Sequence, residues 1–252
     1  MKKTIIFGIS AAAVVLFSSS QAFEKMKPQE TKPVAGMLLE KGLIPSEADM
    51  SSALKEALQV GATNAANNLH KPGGFLNDPL VKIPFPPEAQ NVANKLRQVG
   101  LGPQVDKFIE SMNRGAEDAA IKAAPIFIDA IKGMNLNDAK NILLGPDNAA
   151  TTYFRNKTSN ALFAAFSPEL KASLDKIGAT KNWTEITTAY NRIPFHKPVQ
   201  TDIVKYATDK ALDGLFLKLA DQEKNIRQSM VNPSQVSGNL KKVFQWAAGM
   251  KL

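Results

Sequence analysis

The chain has 252 residues with no cysteine, and its 31 lysines and arginines against 23 acids give a net charge of +8. Lacking cysteine, it forms no disulfide, no thiolate metal site and no cysteine nucleophile, so the fold must be held by packing. Charges of both signs are interspersed without a basic block, so composition gives no reason to expect a nucleic-acid partner.

Lys2 and Lys3 precede an apolar run of small residues from Thr4 to Ser19, and Ser20-Gln21-Ala22 offers a small-x-small cleavage site before Phe23. The run falls short of the roughly 20 residues of a spanning helix. Residues 1–22 are therefore expected to be a cleaved signal peptide. No cysteine follows the cleavage point, which excludes a lipoprotein. The mature protein is expected to be soluble and periplasmic or extracellular, with no stable membrane span. It would keep about 230 residues, enough for one sizeable core, and would carry a charge of +6, because the signal takes two lysines and no acid from the +8. Residues 23–33 (FEKMKPQETKP) are charged, proline-bearing and without apolar period, and read as a flexible leader; the domain is expected over residues 34–252.

From Pro45 the period is helical. Ser46 or Asp49 can cap, and Met50, Leu54, Leu58, Gly61, Ala65 and Leu69 recur at three- and four-residue spacing. Residues 71–87 (KPGGFLNDPLVKIPFPP) then break every regular pattern with five prolines and a Gly73-Gly74 pair. The loop is nonetheless apolar, with Phe75, Leu76, Leu80, Val81, Ile83 and Phe85, so it either wraps the helical body, the preferred reading, or lines a groove.

Helical signals resume at Pro87 and end at Gly100; Pro103 opens a stripe of Val105, Ile109, Met112, Ala116, Ala119 and Ala123 that Pro125 kinks or ends. A short helix over Ile126–Lys132 stops at Gly133. Asn137 is expected to cap a segment to Leu144, Asp147 a helix through Phe166, and Ser167-Pro168 another that Gly178 terminates. Asn182–Asn191 reads as a shorter helix, residues 201–229 as the longest, and the residues after Asn232-Pro233 as a last helix reaching Trp246. No period-two strand is found. The expected fold is all-α, a single domain of about nine helices with one long irregular Pro/Gly-rich loop.

Two phrases recur, Lys82-Ile83-Pro84-Phe85 with Arg192-Ile193-Pro194-Phe195 and Leu96-x-x-Val99-Gly100 with Leu174-x-x-Ile177-Gly178, but in reversed order, which argues against a tandem repeat. Several blocks carry a family likeness: Leu54-Lys55-Glu56-Ala57-Leu58, Lys71-Pro72-Gly73-Gly74-Phe75, Met112-Asn113-Arg114, Ala149-Ala150-Thr151-Thr152-Tyr153-Phe154-Arg155, Ser173 to Thr180 and Lys210 to Phe216. Over roughly Ala53 to Phe244 the chain resembles a family of exported bacterial proteins known as a domain of unknown function. The resemblance implies an exported helical protein and transfers no activity, substrate or catalytic residue.

Catalytic signals are sparse. His70 and His196 each precede Lys-Pro in an irregular segment, with no paired spacing for a metal, and no Gly-x-Ser-x-Gly elbow or phosphate loop occurs. The acids Glu110, Glu117, Asp118, Asp129, Asp138 and Asp147 read as solvated faces, with Arg114 paired to Glu110 and Asp118. No catalytic residue, metal or cofactor is assigned.

Arg155, after Tyr153-Phe154, and Asp213, inside Leu212-Asp213-Gly214-Leu215-Phe216, are expected to be partly buried. Arg114 or Arg155 pairing with Asp213 would then fix helix packing, the reading preferred over a ligand site. As ligand candidates the sequence offers Arg114, Arg155, Tyr153, Asn113, Asp213, Phe75 and Phe85, arginine being suited to an anionic head group. Three functions stay open in order of preference. The first is a binding protein for a lipid or small amphiphile, the second an assembly factor that meets an envelope protein through Phe75, Phe85 and Phe195, and the third a carboxylate-based hydrolase.

Overall fold

The computed structural model describes residues 45–192, 198–199, 202–229 and 243, all within a compact unit that begins at Ile44. The expected leader, Phe195, His196 and the last helix lie outside the described residues. Among the described residues there are eight α-helices, one 3-10 turn and no strand. In chain order they are α1 (Glu47–His70), the 3-10 turn Pro87–Ala89, α2 (Gln90–Gln98), α3 (Gly102–Ala120), α4 (Ala123–Lys132), α5 (Leu136–Leu144), α6 (Ala149–Asp175), α7 (Ala179–Tyr190) and α8 (Ile203–Ser229).

α1 starts at a reciprocal capping box: the Asp49 N–H donates to Ser46 Oγ at 3.0 Å while the Ser46 N–H donates to Asp49 Oδ2. α5 uses the same device two residues earlier than expected, with Asn135 and Asp138 as the box in place of a cap at Asn137. The expected break at Ser167-Pro168 is absent, and α6 runs on for 27 residues with Pro168 inside it. Pro168 is exposed, so the Ala164 carbonyl that loses its i+4 donor lies on the solvated side of the helix. Ser167 meanwhile reaches the Thr208 hydroxyl on α8 at 3.3 Å.

The core forms where α6 packs against α3 and α8 while α1 packs across α4, α5 and α8. Phe127, Phe154 and Phe216 meet there edge to face, the Phe127–Phe154 centroids 5.2 Å apart. α3 and α6 approach closely enough that a Cβ on Gly115 would sit 2.9 Å from Ser173 Cβ and 3.1 Å from Leu170 Cα. Beside that contact two serines bond reciprocally, Ser111 Oγ donating to the Ser173 carbonyl and Ser173 Oγ to that of Ser111.

Residues 71–87 wrap the body as a strap across α3 and α8. Along residues 80–85 burial alternates strictly: Leu80, Lys82 and Pro84 point out and Val81, Ile83 and Phe85 point in. That is the pattern of an extended segment. The Val81 and Lys82 N–H groups turn back onto the Asp78 carbonyl; beyond them, with no strand among the described residues to pair with, a side chain supplies the partners of Ile83. Asn113 Oδ1 accepts the Ile83 N–H at 2.8 Å and Asn113 Nδ2 donates to the Ile83 carbonyl at 2.9 Å. One turn on, Glu117 Oε1 accepts the N–H groups of Phe75 and Leu76. Lys218 pairs with Asp78 at 2.6 Å, and the Tyr206 hydroxyl donates to the Pro84 carbonyl. Gly214 lets the strap down onto α8, because a Cβ there would lie 2.9 Å from Phe75 and 3.0 Å from Val81.

Candidate functional site

The seven candidate residues divide between the strap anchor, the core and two clefts. Asn113 is fully buried and saturated: besides Ile83, its Nδ2 donates to the Ile109 carbonyl. Phe75 is fully buried, so it is core and offers nothing as a surface anchor. Tyr153 is half-buried, with its hydroxyl on the Ala130 carbonyl and its own ionisation pushed up by burial and then by Asp138.

Arg114 belongs to the strap anchor. Its guanidinium lies 2.7 Å from Glu117 Oε2 and 3.6 Å from Glu110, so its near partner is Glu117 and not the exposed Asp118. Glu117 therefore departs from the solvated-face expectation; it is 3% exposed. Burial alone would raise its pKa, but the Leu76 N–H, the Arg114 guanidinium and the backbone N–H groups of Gly73 and Phe75 outweigh that and hold it below the ordinary range. A general acid needs the opposite direction, so this carboxylate is built to accept hydrogen bonds rather than to move a proton. His70 joins the same knot, its Nδ1 lying 2.8 Å from the Glu117 carbonyl.

A second buried glutamate was invisible to periodicity. Glu223 on α8 accepts the N–H groups of Ala150 and Thr151 and the Thr151 hydroxyl, capping the positive end of α6. Arg227 neutralises it at 2.8 Å and also donates to the Ile142 carbonyl. Glu223 and Arg227 are four apart on one helix, but that spacing is common on solvated helices and carries no mark of burial.

The first cleft lies between the end of the strap, α2, α3 and α7, with a volume of about 360 Å3. Phe85, Phe108 and Trp183 form its wall, with centroids 5.2 to 5.5 Å apart and the Phe108 and Trp183 rings nearly parallel. Val92, Leu96 and Ile177 continue the apolar lining, and Gln104, Lys107 and Asn182 supply its polar groups. Of its aromatic wall the sequence reading singled out Phe85 alone. The α2 side is tethered by the Arg97–Asp106 ion pair.

The second cleft, about 470 Å3, lies between the outward side of the strap, α6 and α8. It unites Arg155 with Asp213 as the sequence suggested, at 3.6 Å, but both side chains are half or more exposed rather than partly buried. The Arg155 guanidinium lies 4.4 Å above the Phe216 ring. Lys210 is also 3.6 Å from Asp213, so one acid is shared between two cations at distances too long for hydrogen bonds.

Among the described residues no group of three or more His, Asp or Glu is placed to hold a metal ion, and no helix is long and apolar enough to cross a membrane. The family model described as a protein of unknown function (DUF4197) matches residues 44–245, most of the chain and the whole helical body described above. The chain belongs to this family. That agrees with the likeness read from the sequence blocks and, like it, assigns no chemistry. No curated protein and no solved structure gives a significant match.

Proposed function

We propose that the chain is an exported helical binding protein whose aromatic cleft receives the apolar part of a hydrophobic or amphipathic anionic ligand. The observation that carries this reading is the wall of Phe85, Phe108 and Trp183 around a space of about 360 Å3, within the size range of small-molecule sites. Aromatic faces that border an open space, instead of filling it, gain most from an apolar guest. Lys107 lines the same cleft and suits an anionic end on that guest. Export rests on the pattern of residues 1–22.

The test is native mass spectrometry of the protein purified from the envelope fraction without detergent, followed by solvent extraction. A discrete co-purifying amphiphile, released together with a change in Trp183 emission, is the expected result. A mass equal to that of the bare polypeptide, in a preparation that also fails to take up added amphiphile, would overturn the reading.

A further inference from the structure

The second cleft has features that the aromatic cleft does not explain. Its lining carries Lys82, Arg155 and Lys210 against one acid, Asp213. Lys82 also acts electrostatically on Asp106, but that carboxylate is outside the cleft lining and is already bonded to Arg97. The cleft is therefore net positive. Its cations are also weakly committed, because the Arg155–Asp213 and Lys210–Asp213 contacts are long and largely solvated. The Phe216 ring, 4.4 Å below the Arg155 guanidinium, holds that cation in the cleft without taking a hydrogen bond from it, and a guanidinium can meet an oxyanion through two N–H groups at once. The α6 N-terminus borders the cleft but adds little, since Glu223 already takes the Ala150 and Thr151 N–H groups.

Two leucines stand at the mouth of this cationic cleft. Leu80 is 69% exposed on the outward side of the strap and Leu217 is 41% exposed on α8, and both line the same space as the three cations. A single exposed leucine needs no explanation. Two from different elements, set beside Lys82, Arg155 and Lys210, form the arrangement that meets a lipid surface, with apolar side chains entering the acyl boundary while cations meet phosphate.

We propose that this face docks the protein on anionic phospholipid, with the head-group phosphodiester between Arg155, Lys210 and Lys82 and with Leu80 and Leu217 entering the interface. Docking is separate from ligand uptake in the aromatic cleft and does not depend on it.

The test is co-sedimentation with vesicles, using protein expressed from the full coding sequence and purified without detergent. Vesicles of phosphatidylglycerol and phosphatidylcholine are compared with phosphatidylcholine alone. Binding is expected to favour the anionic vesicles and to weaken steeply with salt. The Arg155→Gln/Lys210→Gln pair is expected to reduce that binding roughly tenfold or more, and Leu80→Ser/Leu217→Ser to reduce it several-fold by the loss of apolar contact. All four side chains are exposed, so the variants keep the fold. Lys132→Gln/Lys181→Gln removes the same charge from outside the cleft and is expected to leave binding unchanged. Equal loss in that control would assign binding to net charge and overturn the proposal. So would undiminished binding by either cleft variant. Release of the protein from vesicles by millimolar inorganic phosphate would mark a site for free phosphate and would overturn the lipid assignment.

Discussion

Asn113 meets both backbone polar groups of Ile83, accepting the N–H at 2.8 Å and donating to the carbonyl at 2.9 Å, so that one side chain replaces a neighbouring strand. Asn191 grips Val199 in the same way, accepting its N–H at 2.7 Å and donating to its carbonyl at 2.8 Å. Irregular chain can be buried in this protein because side-chain amides, one within α3 and one just past the end of α7, satisfy it. Asn113→Ala would strand both Ile83 groups away from water. A loss of about 2–4 kcal/mol is expected in denaturant unfolding, together with faster tryptic cleavage at Lys82 as the strap backbone around Ile83 loosens. Unchanged stability would show that the strap is not held at Ile83.

Glu117 predicts a pH dependence with a defined sign. Its folded-state pKa is lowered, so its contribution is present above the unfolded carboxylate value and is lost as pH falls through the folded value. Glu117→Gln cannot accept as strongly from Phe75, Leu76 and Arg114, and is expected to cost roughly 2–3 kcal/mol at neutral pH. The gap between wild type and variant should close as acid is added below about pH 4.5. Denaturant midpoints measured from pH 3 to 7 decide the matter; parallel curves would remove Glu117 from the strap's energetics.

The helices were legible because their apolar residues recur at helical spacing and are bounded by Ser46, Gly100 and Gly178, local signals that each act within a turn or two. The all-α class and the wrapping strap followed from them. Pro168 misled, since a proline on an exposed helix face can be carried by packing of the opposite face, and that face depends on α3 and α8. Burial of Glu117 and Glu223 was not legible for a related reason. Each carboxylate is retained inside by N–H groups 41 to 73 residues away in the chain, and no local pattern reports such partners. The candidate site was half-legible: the Arg155–Asp213 pairing could be read from chemistry, whereas the aromatic cleft assembles Phe85, Phe108 and Trp183 from three elements.

Two helical glycines should respond oppositely to alanine. A Cβ at Gly115 would meet Ser173 Cβ and the Leu170 Cα, which cannot move without separating α3 from α6. Gly115→Ala is therefore expected to destabilise by about 1–3 kcal/mol. At Gly61 the contact is Ile226 Cδ1 at 3.0 Å, the free end of a side chain, so repacking is cheap. Gly61→Ala should then be neutral or gain up to about 1 kcal/mol from helix propensity. Thermal unfolding of the two variants distinguishes them; equal effects would mean that the α3–α6 approach is not sterically set.

The aromatic cleft makes its own prediction, through a residue that lines the space without belonging to the core. Val92 is half-buried on α2, and only Ala93 of that helix is fully enclosed, so a larger side chain at 92 can enter the cleft with little disturbance behind it. An anilinonaphthalene sulfonate probe, which is apolar with one anionic group, is expected to bind the wild-type protein with one-to-one stoichiometry. Val92→Trp should fill the space and weaken that binding at least tenfold, a loss of about 1.4 kcal/mol, while the unfolding midpoint stays near wild type. Phe85→Ala, by contrast, removes a buried ring and should lower stability by about 3–4 kcal/mol, which makes it the poorer probe of binding. Retained probe affinity in Val92→Trp would place the bound fluorophore elsewhere and leave the cleft without a ligand.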